Sequence, residues 1–177
     1  FAGNISAKGG ARGGDGGRVE VSGKQFLDFR GDVNTTAAKG ATGLLLLDPA
    51  SIDIGTVADI NGDGSFGDDV TGTFTSAAVS KITATAVSTI LNATNLSLTA
   101  ADVITVSSAI AKTSGVVTSL TLTGGGTGGV VVNAPISASS GALNVDIHGG
   151  AGSGPVTVNA AITTNGGALL LESSGNG

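Results

Sequence analysis

From Val103 to Glu172 the apolar and polar positions recur every 26 residues. Val106, Val132 and Val158 fall in register, as do Ile110, Ile136 and Ile162, and Gly115, Gly141 and Gly167. Ser107, Asn133 and Asn159 share one polar slot, and Ala109, Pro135 and Ala161 share a small or rigid one. Val117, Leu143 and Leu169 open a second apolar run after each glycine. A fixed period of tens of residues marks a stacked array. The units are short Val/Ile/Thr runs alternating with period two, which places one face of each strand inside. Each unit therefore reads as one turn of a β-solenoid, with Thr105, Thr121 and Thr157 on the solvent side.

The same grammar runs upstream. Ile5 and Ala7, then Val19 and Val21, alternate around a glycine-rich arc, and Leu27, Phe29 and Val33 continue the coil. Leu44–Leu47 forms a strand that stops at Asp48-Pro49, because proline has no N–H for the ladder. Ile52 and Ile54 make another short strand, and Leu96-Ser97-Leu98 leads into the repeats. Two stretches break the pattern. Residues 55–75 read as an acidic insertion loop, and Val87, Ile90 and Leu91 recur at helical spacing, predicting a short helix over 85–93. At roughly 25 residues per coil the chain makes about seven coils, a rod about 30 Å long at the usual strand spacing. Residues 1–177 form one such unit, all-β except for the helix.

Composition supports many short strands rather than disorder. The chain is 40 % hydrophobic and only 12 % charged, with 31 glycines and no Trp, Tyr, Met or Cys; disordered chains are rich in charge and poor in β-branched residues. No cysteine means no disulfide framework, and no apolar run reaches the length of a membrane span. Phe1, with no methionine or leader before it, reads as an internal cut of a longer chain or a processed form. Neither end carries a charged lid. The expected partners are further repeats of a longer chain, or identical copies stacked end to end. Net charge is −5, with six basic and four acidic residues in 1–40 and six aspartates but no base in 41–80. After residue 112 the only charges are Asp146 and Glu172. A basic, aromatic-bearing face for nucleic acid is absent from this pattern.

The chemical candidates lie in the first 75 residues. Asp59, Asn61 and Asp63, followed by Gly64, place oxygen ligands and a turn glycine as in a calcium loop, with Ser65 beside them. Position 12 is Val70, so Asp68 or Asp69 would close the calcium shell from a shifted place. The other reading of this segment is a solvated acidic hairpin. Arg30-Gly31-Asp32 spells the tripeptide read by integrins, a receptor function that requires an exposed loop tip. The sequons at Asn4, Asn34, Asn92 and Asn95 are the kind that Ser/Thr-rich chains make by chance. Asn133 and Asn159, one period apart, are expected to form an asparagine ladder. His148, the single histidine, reads as a surface residue with no catalytic partner within its coil. Glycine arcs resembling a dinucleotide fingerprint have no helix after them to receive a phosphate. A pectin-cleaving type of β-helix would need clustered acids and bases in register, and the repeats have almost none, so no enzymatic activity is expected.

GNISAKGGARGGDGGRVEVSGK, followed by GDVNTTAAKGATGLLLLDPASIDI, resembles the filamentous-haemagglutinin-like exoproteins of Gram-negative bacteria. ITATAVSTILNATNLSLTAADVITVSSAI is similar to the repeats of that family. The resemblance implies a right-handed parallel β-helix, export through an outer-membrane partner by two-partner secretion, and a place in a large cell-surface adhesin. A host-cell or neighbouring-cell receptor or glycan is then an implied partner. The secretion domain of such proteins does not match any part of residues 1–177.

Overall fold

The computed structural model describes residues 1, 3–24, 27, 29, 31–55, 79–150 and 154–173, and these form a parallel β-solenoid with three faces per coil. Strands are numbered along the chain. The first face stacks β2 (Arg18–Ser22), β4 (Leu44–Asp48), β7 (Asn95–Ala100), β10 (Thr118–Gly124), β13 (Leu143–Gly149) and β16 (Leu169–Glu172) in that order. The second stacks β6 (Ser80–Thr83), β5 (Ile52–Gly55), β8 (Val103–Val106), β11 (Gly129–Val132) and β14 (Val156–Val158). The third is split into two sheets. One pairs β1 (Asn4–Ser6) with β3 (Asp32–Asn34), and the other stacks β9 (Ile110–Lys112), β12 (Ile136–Ala138) and β15 (Ile162–Thr163).

Alternation decides which side chains enter. Leu45, Leu96, Leu120 and Val145 form one inward column on the first face, and Leu47, Leu98, Leu122 and Ile147 form the next. The second face adds Ile52, Ile104 and Val130, the third Ile110 and Ile136, and all are buried. Burying each such side chain is worth about 1.5–3 kcal/mol. The columns are aliphatic because like stacks on like at one strand spacing.

Six strands on the first face bound five intervals, so the solenoid makes about five turns rather than the seven expected. One turn is double length. Val19 pairs with Leu45 and Leu120 with Val145, close to the expected period, but Leu45 pairs with Leu96, 51 positions on. That turn contains the segment 56–78, strand β6 and the helix. Strand β6 lies on the far side of β5 from β8, so the chain steps back one level before going forward. The N–H of Leu27, in the first coil, donates to Ser80 Oγ at 3.0 Å.

The helix, α1, spans Ala84–Leu91 against the predicted 85–93 and buries Val87, Ile90 and Leu91 as its spacing requires. Thr83 caps it, accepting from the N–H of Ala86. It packs on β9 on one side and touches β3 on the other, so it takes the place of a strand on the third face for one coil.

The 26-residue register holds on the second and third faces, where Val132 pairs with Val158 and Ile136 with Ile162. It slips on the first. Leu143 pairs with Thr118 rather than Val117, and Leu169 with Val145. Val117 precedes its strand and is 57 % exposed. The arc from the first face to the second lengthens from coil to coil: four positions from Ala100 to Ile104, six from Gly124 to Val130, seven from Gly149 to Val156. The opposite corner shortens in compensation. Gly129, at φ +60°, shows how close the stacked arcs run, since a Cβ there would overlap the carbonyl oxygen of Pro155.

Candidate functional site

Strand alternation turns Asn144, Asp146 and His148 of β13 outward, and parallel pairing sets Glu172 of β16 beside His148. These residues make the one three-membered cluster of ionisable side chains among the described residues' ion pairs. His148 Nε2 lies 2.8 Å from Asp146 Oδ1, and Nδ1 lies 3.0 Å from Glu172 Oε2. Asp146 Oδ1 is shut off from solvent and has no hydrogen-bond partner, its approach to Nε2 being an ion-pair contact. The close approach of Asp146, partly offset by desolvation and reinforced by the Asp146 and Glu172 charges and the Glu172 hydrogen bond, raises the imidazole above its usual pKa. Each ring nitrogen therefore faces a carboxylate, Nε2 that of Asp146 and Nδ1 that of Glu172. The surface position predicted for His148 holds, but the absence of an acidic partner does not. Asp146 stands two residues away on the same strand face, which period-two alternation already implies. Glu172 was hidden because the first face registers at 24 residues here, not 26.

Two interior features complete the polar chemistry. Lys112 points into the solenoid at the position of Ala138 in the next coil and is fully buried. Its Nζ donates to the carbonyl oxygens of Ser114 and Ser140 at 2.6 and 2.8 Å, tying two successive corners together, and burial pushes its pKa down. The expected asparagine ladder is present, with Asn159 Nδ2 donating to Asn133 Oδ1 at 2.8 Å. A second ladder was not expected. Asn95 Oδ1 accepts from the N–H of Ser119, Asn144 Nδ2 donates to Ser119 Oγ, and Asn144 Oδ1 accepts from the N–H of Ala168.

The calcium candidates Asp59, Asn61, Asp63, Ser65, Asp68 and Asp69 lie outside the described residues, as does Arg30. Gly55 ends β5, and the rest of the expected insertion is likewise outside them. Gly31 is wedged against the ring of Phe1 and the carbonyl of Gly3. Asp32 begins strand β3 rather than a loop tip, its N–H donating to Gly3 O at 2.9 Å. It lines a groove of about 320 Å³ between β1, β3 and α1, together with Lys8, Asn4, Asn34 and Thr89. Of the sequon asparagines, Asn34, Asn92 and Asn95 have side chains committed to internal hydrogen bonds. Among the described residues no group of three His, Asp or Glu is arranged to hold a metal ion. No helix of the described residues is long and apolar enough to cross a membrane.

Compared with models of known protein families and with curated proteins, the chain matches none.

Proposed function

We propose that this chain is a non-enzymatic structural rod, one stretch of a secreted bacterial surface adhesin or fibre, whose end coil is continued by further coils. The observation that carries the reading is the state of the last coil. Leu169, Leu171 and Val158 occupy inward slots yet are 47 %, 46 % and 37 % exposed. Among the described residues, strand β16 is paired on one side only. An apolar strand edge of this kind is a template for another strand, and repeat arrays gain stability from each neighbour they acquire. The columns behind it hold small aliphatic groups with no reactive side chain recurring, which suits stacking better than catalysis. The resemblance of residues 1–54 to haemagglutinin-like exoproteins supports placement outside the cell. Attachment to a receptor or glycan would fall to surface features such as the segment around Asp32 or the 55–75 insertion, where calcium would brace the loop.

The second reading is a protomer that polymerises head to tail into an extracellular filament or sheath, and the same open edge favours it. Sedimentation and negative-stain microscopy of the isolated chain separate the two. Single particles at every concentration support continuation by repeats of a longer chain, whereas long fibres of constant width support stacked copies. A side-by-side dimer of fixed stoichiometry, its end coils still exchanging freely with solvent, would overturn end stacking altogether.

A further inference from the structure

The sequence from residue 113 to residue 177 contains three titratable side chains, Asp146, His148 and Glu172. All three meet at one point on the first face. Two belong to β13 and the third to the next coil, so the contact spans the junction between them. We propose that His148 is a proton-controlled latch, which as an imidazolium ties β16 to β13 through Glu172 and on losing a proton lets that strand loosen.

The two carboxylates face opposite nitrogens of the ring, so they do not converge on a shared metal ion; they need two N–H donors. An imidazolium supplies both, whereas a neutral imidazole supplies one and turns a lone pair toward the other carboxylate. Asp146 Oδ1 is buried, has no hydrogen-bond partner and lies 2.8 Å from Nε2, so its charge favours the ring hydrogen on that nitrogen. Glu172, the more exposed partner at 66 % of its side chain, faces the lone pair. Asp146 thus orients the ring, and Glu172 is the part that lets go. Among the described residues no other charge intervenes: β10, on the other side of β13, presents Thr121 and Thr123 opposite Asp146 and His148. Strand β16 is the one most exposed to the change, because every one of its side chains is exposed and no strand of the described residues pairs with its other edge.

The sign follows from the raised pKa of His148. A group that binds its proton more tightly when folded stabilises the fold fully below its ordinary pKa of 6.5 and loses that contribution as pH rises through the folded value. The latch rests on the His148–Glu172 contact and end stacking on the open edge of β16, so loss of the pH dependence in H148Q reads the first and the sedimentation of the chain reads the second. The test is amide hydrogen exchange of residues 169–172 in the 177-residue chain, corrected for intrinsic rates, at about pH 5.5 and about pH 8.5. Protection is expected to fall about fivefold to tenfold at the higher pH. H148Q and E172Q should each flatten that difference while β10 amides stay unchanged. Equal protection at both pH values in the unmodified chain, or a difference that survives in H148Q, would overturn the latch. Following the imidazole by NMR gives a second readout, which in the unmodified chain needs no variant. Its midpoint should lie above the ordinary value and drop in E172Q, and an unmoved midpoint would remove Glu172 from the mechanism.

Discussion

Leu122 and Leu171 occupy the same inward slot of the first face, two coils apart, with Ile147 between them. Leu122 and Ile147 are fully buried, and Leu171 is 46 % exposed. The second face repeats the contrast, with Val132 buried and Val158 37 % exposed in one column. Same pattern, same strand type, opposite burial. A coil of this protein therefore does not own its core. Each coil supplies half of a contact and borrows the other half from the neighbour above it, which is how one-dimensional repeat proteins distribute their stability.

Truncating the two leucines tests this most directly. Leu122→Ala should cost about 2–5 kcal/mol in urea denaturation, as for other fully buried leucines. Leu171→Ala should cost less than about 1 kcal/mol. Equal losses would break the contrast and mean that the last coil is covered in solution. A smaller effect is expected at Lys112, where the inner coils carry a buried cation rather than an aliphatic side chain. Lys112→Met keeps the bulk but leaves the Ser114 and Ser140 carbonyls without their donor, a loss of about 1–3 kcal/mol. The exposed Lys8→Met serves as the surface control, and equal stability of the two variants would show that the ammonium contributes nothing to the corner. The smallest effect belongs to the exposed ladder. Asn159→Ala removes one bond to Asn133 and should lower stability by about 0.5 kcal/mol, sharpening the view that terminal contacts contribute little until another coil arrives.

Much of this was legible in the sequence. The stacked Val and Ile columns, the strand stop at Pro49, the Asn133–Asn159 bond and the position of the helix all follow from local spacing. What escaped are features set by how coils lie on one another. A 51-position turn looks like two coils to any count by period. The return of β6 to the far side of β5 has no local signal, because Ser80–Thr83 reads as one more strand. Lys112 sits at an alternation position that points inward, but lysine is so rarely buried without an acidic partner that its residue type argues against its register. The His148–Glu172 contact depends on a first-face register two residues shorter than the repeat, a shift absorbed by arcs whose lengths trade off at opposite corners.

The helix on the third face has one more consequence. Its backbone forms no strand ladder with its neighbours, so the β1–β3 sheet is not joined to the β9–β12–β15 sheet, and it is tied to the next coil by single bonds instead, the N–H of Ala111 donating to Ser88 Oγ and Thr118 Oγ1 donating to the Leu91 carbonyl. The first face and the β5–β8–β11–β14 run of the second continue past that level unbroken. A pull along the rod is thus shared by three ladders of hydrogen bonds in the repeats but by two beside Ala84–Leu91. Under tension the helix marks the level with the fewest backbone ladders to lose, a mechanical seam placed within the shaft instead of at its tip.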